Sequence, residues 1–246
     1  MDGHSRQGNQ GMKNQDQKNT AATSATADEW HRQAVSRSNC YGLLALVFRD
    51  VPTAEIVAQL TVPPLAETLS HLGYDATQDL AGELDAVTKR LGEQYTQTFV
   101  GPGGHVSLYA SVHHSGEGQL WGDSTVWVKR FIERTGLSFK DNWDSIPDHI
   151  TIELELMQRL TAYEAQLWIL NSSHGSKNTE EQLCQCLHMQ EQFLNEHLCV
   201  WVPRFCERVL ETSTSLFYRE MAKLTKSVIL SGAEQVKVAQ SALSCN

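Results

Sequence analysis

No stretch of this sequence approaches the run of about 20 apolar residues that a bilayer-spanning helix needs, and its N-terminus has no apolar core of a secretory signal. These two absences predict a cytoplasmic chain with no integral membrane association. Positive charge is also scarce. With 20 Lys and Arg against 29 Asp and Glu, the formal net charge is −9, which argues against a surface that tracks nucleic-acid phosphates and leaves basic peptides as suitable partners. No segment alternates apolar and polar residues between hairpin turns, so strands are not expected. The glycine run Gly101-Pro102-Gly103-Gly104 follows a helical pattern and carries no Lys-Ser or Lys-Thr, so it is a turn rather than a phosphate loop. The cysteines Cys40, Cys184, Cys186, Cys199, Cys206 and Cys245 form no regular framework, and a chain of 246 residues needs no covalent staple; they read as reduced thiols.

What is present is helical periodicity. Residues 1–27 hold almost no large apolar side chain and cannot repay the entropy of ordering, which predicts a disordered N-terminal tail. From Asp28, a plausible N-cap, Trp30, Ala34, Tyr41, Leu44, Ala45 and Phe48 share a helical face until Val51-Pro52 stops it. Thr53 caps a short helix, Pro63-Pro64 opens another that Gly73 closes, and Leu80, Leu84, Val87, Leu91, Tyr95 and Phe99 predict one helix over 77–99. Periodicity fails over 101–122, a stretch rich in glycine and histidine; loops this long are uncommon unless functional. It returns at Asp123, read as an N-cap, with Gly136 as the stop. After a connector over 137–147, Asp148 precedes a long helix to about Leu170. Thr179 with Gln182 reads as a capping box, Pro203 as a start or kink, and 215–229 as the last helix. The expectation is an all-α chain of about nine or ten helices: a single helical domain over 28–232, with room for two lobes meeting at the loop, and a helical extension or tail over 233–246.

Several constellations invite chemistry. His105, His113, His114 and His149 suggest a metal-dependent hydrolase, but adjacent His113 and His114 cannot both face inward in regular structure, and no HExxH pair exists. Cys184 and Cys186 point about 200° apart on a helix and would not converge on one ion. Pro147-Asp148-His149 has a capping role to fill, with Asp148 as the cap, and a binding role is compatible with it.

Taken in order, Tyr95-x-x-x-Phe99-x-Gly101-Pro102, Ser107-Leu108-Tyr109-Ala110-Ser111-Val112 and Leu120-x-Gly122-Asp123-Ser124 resemble the pattern of the TorD/DmsD-like family of redox-enzyme maturation chaperones. So do Pro147-Asp148-His149-Ile150 with Glu153-Leu154-x-x-Met157, His197-Leu198-x-x-Trp201-x-Pro203-x-Phe205, and Phe217-Tyr218-x-x-Met221-Ala222. The likeness covers roughly residues 30–230. It implies an all-helical fold with no metal, cofactor or catalytic centre. The connector over 137–147 is long enough for domain swapping, which leaves a monomer or a domain-swapped homodimer; the resemblance also implies a groove for the twin-arginine signal peptide of a molybdopterin-containing oxidoreductase, held in its apo-form until cofactor insertion. By position it assigns Tyr95, Phe99, Gly101, Pro102, Tyr109, Asp148 and His149 to that groove. Trp121 joins them as an aromatic of the same loop. On this reading Tyr95, Phe99, Tyr109 and Trp121 line the groove, and Asp148 and His149 set polarity at its edge. A metal-dependent hydrolase and a general helical adapter are the alternatives.

Overall fold

The computed structural model describes residues 8–101, 105–114, 120–137, 146–243 and 245, and the side chains within these from residue 27 onward, residues 173 and 174 excepted. Among the described residues every regular element is helical: α1 Gly8–Arg49, α2 Ala54–Leu60, α3 Leu65–His71, α4 Ala76–Asp79, α5 Leu84–Tyr95, α6 Ala110–His113, α7 Asp123–Thr135, α8 Ile150–His174, α9 Lys177–Phe193, α10 Cys199–Thr212 and α11 Leu216–Leu243. Of two π-helical turns, Thr96–Val100 extends the end of α5 and Leu194–Leu198 joins α9 to α10.

The long helices α1 and α8 pack along each other, with α9, α10 and α11 around them. The apolar face read from the sequence is the one α1 buries: Ala34, Tyr41, Leu44, Ala45 and Phe48 are inaccessible, and Trp30 stacks on Trp168 of α8 with ring centroids 5.8 Å apart. All the buried apolar side chains, from Ala27 to Ala239, belong to one connected cluster. Between α1 and α8 lies a buried ion pair. Arg37 donates to Glu164 Oε2 at 2.5 Å, Gln190 donates to the same oxygen at 2.9 Å, and Trp168 Nε1 donates to Oε1 at 3.1 Å. The Glu164 carboxylate is fully buried and is satisfied from α1, from α9 and from its own helix.

Punctuation residues set most of the boundaries. Thr53 Oγ1 accepts from the Ile56 amide at the start of α2, and Gly136 ends α7 in the left-handed region. At the end of α1, Pro52 stands four residues after Phe48 and has no N–H for its carbonyl. The Tyr95 hydroxyl donates to that carbonyl instead, at 3.1 Å.

Five expectations are corrected. The helix predicted over 77–99 is broken between α4 and α5, because Gly82 takes φ +134°, a conformation helices do not use; Leu84, counted in the apolar stripe, is exposed. Asp28 is interior to α1, whose backbone is helical from Gly8. Asp123 is the first residue of α7 and not its cap, which is Gly122. Ser176, not Thr179, caps α9, its Oγ accepting from the Thr179 amide at 3.1 Å. Cys184 and Cys245, read as reduced thiols, are joined in a disulfide with Cα atoms 5.5 Å apart. Spacing along the chain could not show this, because α11 continues to Leu243 and lays the C-terminal residues beside α9, where Gln240 also donates to Glu191 at 2.9 Å. Cys186, two residues from Cys184, turns the opposite way into the core. The connector proposed for domain swapping falls mostly on 138–145, outside the described residues.

Removing one partner of a buried pair leaves a charge without compensation, which costs about 3–5 kcal/mol. Arg37→Met should therefore lower the urea midpoint sharply, whereas Arg37→Met combined with Glu164→Gln should recover most of the loss.

Candidate functional site

The segment 105–114 has no regular structure beyond the single turn α6, so its path depends on what it bonds to. Two contacts tie it to the entry of α8: Ala110 N donates to the Asp148 carbonyl and Ile150 N to the Leu108 carbonyl, both at 2.9 Å, forming an antiparallel bridge between Tyr109 and His149. A third comes from the Asp148 side chain. Its Oδ2 accepts from the Ser111 amide at 2.8 Å and from Ser124 Oγ of α7 at 3.4 Å. At its upstream end the segment is held by Val106 N, which donates to the Thr98 carbonyl at 2.8 Å inside the first π-helical turn.

This path leaves a cavity of about 490 Å³ between the segment, the end of α1 and the π-helical turn after α5. Tyr95 and Phe99 form one wall, with ring centroids 5.1 Å apart. Tyr109 and His149 form another, edge to face at 4.9 Å. Leu108, Val112, Val100 and Leu120 add apolar surface. Among the described lining residues there is no lysine or arginine and a single carboxylate, that of Asp50. Burial raises the Tyr109 phenol, with the nearby Asp148 charge adding to it. Burial depresses the His149 imidazole to about 4, against the opposing pull of Asp148. Its Nδ1 accepts from the Thr151 amide at 3.2 Å and so serves as the N-cap of α8. Protonating that nitrogen would set a donor against a donor, so the neutral ring is the form that fits the fold.

The structure therefore brings Tyr95, Phe99, Tyr109 and His149 to one cavity. Gly101, in extended conformation, closes the π-helical turn by donating to the Thr96 carbonyl at 2.6 Å. A Cβ there would lie 3.1 Å from that oxygen, so its role is to allow close approach and not to supply positive φ. Pro102 lies outside the described residues. Two expectations about position are corrected. Asp148 is not at the edge but fully buried beneath the cavity, and the capping role assigned to it belongs to His149. Trp121 is 69% exposed with φ +68° and does not line the cavity; its neighbour Leu120 does.

The histidines are distributed, not clustered. His113 Nε2 donates to the Ser107 carbonyl at 2.7 Å and its ring stacks on Trp201, while His114 stacks on His197. Both rings face the helical body, which is possible because α6 ends between them and His114 is already extended, outside regular structure. Among the described residues no three His, Cys, Asp or Glu side chains come together as a metal-holding group would require. The motif residues Glu153, His197 and Trp201 do meet. Glu153 Oε1 lies 2.7 Å from His197 Nε2, and Oε2 accepts from Trp201 Nε1 at 3.0 Å. Burial pushes the Glu153 carboxyl up to about 7, although His197 favours its anion.

Sequence reasoning did not single out Asp50, and it treated His105 only as a metal candidate. Asp50 comes from the junction of α1 and α2, far in sequence from the loop it faces; a charged residue set just before Val51-Pro52, where no helix continues, was the available signal.

Fold and cavity together define an all-helical protein with an aromatic-walled site placed between the end of its first helix and the entry to its eighth. A family model described as nitrate reductase delta subunit matches residues 61–207, and the chain belongs to that family, which takes in the TorD/DmsD-like chaperones. It is 24% identical over 196 residues to the chaperone protein TorD of Aliivibrio salmonicida, covering 74% of this chain and 86% of that one. It is 26% identical over 220 residues to the chaperone protein TorD of Shewanella pealeana, covering 80% and 88%. Against the Haemophilus influenzae protein named probable Tat proofreading chaperone DmsD the identity is 27% over 138 residues, covering 56% and 57%.

Asp148→Ala strands the buried Ser111 amide and should cost about 1–3 kcal/mol, with faster hydrogen exchange at residues 108–112, whereas Asp148→Asn, which keeps an acceptor, should cost less. For His149 the folded pKa lies below the unfolded value of about 6.5, so its contribution to stability is complete above pH 6.5 and declines as the pH falls toward 4. The stability advantage of wild type over His149→Gln, read from urea midpoints, should narrow across that window.

Proposed function

We propose that the protein is a cytoplasmic chaperone that binds the twin-arginine signal peptide of a molybdopterin-containing oxidoreductase and holds the apo-enzyme for cofactor insertion before export. The observation that carries this reading is the convergence of motif residues separated in sequence, Tyr95, Phe99, Tyr109 and His149, on one aromatic-walled cavity. Membership of the family supports it, as do the names of the relatives, TorD and DmsD chaperones, one of them named a probable Tat proofreading chaperone. So does the absence, among the described residues, of any helix long and apolar enough to cross a membrane.

A twin-arginine signal presents adjacent arginines followed by a moderately apolar segment. Apolar side chains entering the cavity would supply most of the affinity, at about 1.5–3 kcal/mol for each large side chain buried. The net charge of −9 favours encounter with an arginine-bearing peptide in a salt-dependent way. In this reading Tyr95, Phe99, Tyr109 and His149 contact the peptide. Gly101 shapes the turn beside it, Pro102 belongs to the site by motif position, Trp121 stands exposed next to Leu120, and Asp148 holds the wall in place from beneath. No bond is made or broken; the chaperone acts by occupying the peptide.

Calorimetric titration of the full chain with signal peptides of candidate molybdoenzymes should give saturable binding, and Tyr109→Ala should weaken it about 10–100-fold. Absence of binding by every such peptide would overturn the reading. Stoichiometric metal in the purified protein would favour the hydrolase instead, and co-purified partners without twin-arginine signals would favour a general adapter.

A further inference from the structure

We propose that Asp50 is the specificity-determining residue of this cavity: its carboxylate selects an arginine side chain lying next to the apolar residue that enters between Tyr95, Phe99 and Tyr109. The inference rests on the reading of the cavity as a peptide site and names the group that reads the peptide's charge.

Asp50 lies one residue beyond α1 and lines the cavity as its single carboxylate among the described residues. It is exposed, so a ligand can reach it without any rearrangement. Its Oδ1 accepts from the Val51 amide at 2.7 Å, which fixes the carboxylate locally, and its Oδ2 has no hydrogen-bond or ion-pair partner among the described residues. The neighbouring cation does not compete, because Arg49 is paired with Glu155 of α8. The position is also electrostatically apt. The C-terminal end of a helix carries partial negative charge, and a cation there is favoured within the last turn. The field of Asp50 reaches inward, contributing, after burial, to the raised pKa of the Tyr95 phenol at the cavity wall.

A carboxylate with one oxygen free and an aromatic wall beside it suits a guanidinium better than an ammonium, since the planar group can present two N–H donors and lie against a ring. The other acidic candidate near the site, Asp148, is fully buried: its Oδ2 is committed to Ser111 and Ser124, and its Oδ1, which has no partner, is closed off from a ligand by that burial. Glu93 belongs to a separate depression that Val51 and Pro52 also line, and lies 4.0 Å from Lys89. It shares the charge of Asp50 without its position and so serves as a control.

The test measures fluorescence anisotropy on the full chain with three labelled peptides: two adjacent arginines followed by an apolar segment, and the same peptide with both arginines replaced by lysine or by glutamine. Wild type should prefer arginine to glutamine by about tenfold or more, with lysine between. Asp50→Asn, which keeps the acceptor for Val51 N, should bring the arginine-to-glutamine ratio close to one while leaving the affinity for the glutamine peptide unchanged. Glu93→Gln should preserve the ratio. Tyr109→Ala should weaken all three peptides alike, reporting on the cavity itself. A ratio unchanged in Asp50→Asn, or equally reduced in Glu93→Gln, overturns the role of Asp50 while the peptide site stands. Failure of all three peptides to bind wild type overturns both.

Discussion

The structure depends on three buried carboxylates along one stretch of chain. Asp148, immediately before α8, and Glu153 and Glu164 within it are all fully inaccessible. A carboxylate taken out of water is costly unless other groups meet its oxygens, so each of these imposes a neighbour. Asp148 requires Ser111 from the irregular segment and Ser124 from α7. Glu153 requires His197 from the second π-helical turn and Trp201 from α10. Glu164 requires Arg37 from α1 and Gln190 from α9. Apolar burial drives the helices together without fixing their register. The three acids fix it, because each gains its partners only when one particular side chain or amide stands opposite; Asp148 gains them through Oδ2 alone.

The candidate site is a consequence of that register. The walls of the cavity are the end of α1, the π-helical turn after α5 and the segment 105–114, three pieces held together by different bonds. The Tyr95 hydroxyl on the Phe48 carbonyl joins the first two walls, and the Asp148 carboxylate with the Tyr109–His149 bridge joins the third to α8. The π-helical turn contributes by fitting one more residue into the coil than an α-turn would, which keeps Phe99 packed beside Tyr95 and leaves Val100 exposed at the rim. His114, stacked on His197, links the far end of the segment to the Glu153 network, so two of the three acids bear on the loop that forms the wall.

Much of this was legible in the sequence where the signal is local. Thr53, Gly73 and Gly136 mark their boundaries because caps and left-handed stops act over one turn. The apolar stripe of α1 predicted its buried face. The break at Gly82 was not legible, since leucines on both sides of it continue a helical spacing that one glycine interrupts. Nor was the Cys184–Cys245 disulfide, which depends on α11 running on beside α9. In the site, the convergence of Tyr95, Phe99 and Tyr109 was read from motif order and is found in space. The depth of Asp148 was not, because sequence gives the order of residues along a helix entry but not which of two neighbours faces inward. The capping role passes from Asp148 to His149 for that reason: the histidine caps the helix, and the carboxylate reaches back to the loop.

That difference separates two kinds of motif residue. Glu153, His197 and Trp201 are spent inside the protein on one another, and Asp148 is held there through Oδ2, its Oδ1 buried without a partner; a ligand meets none of them without rearrangement. Tyr95, Phe99, Tyr109 and His149 present surface to the cavity, but that surface is aromatic or neutral and discriminates by shape and apolarity. A site composed of these alone would accept many apolar segments with similar affinity, because burial of hydrocarbon is not directional. Discrimination by charge has to come from a polar group that the scaffold leaves unspent. At the cavity that condition is met by Asp50, whose position follows from the end of α1 and not from any of the motifs by which the family is recognised.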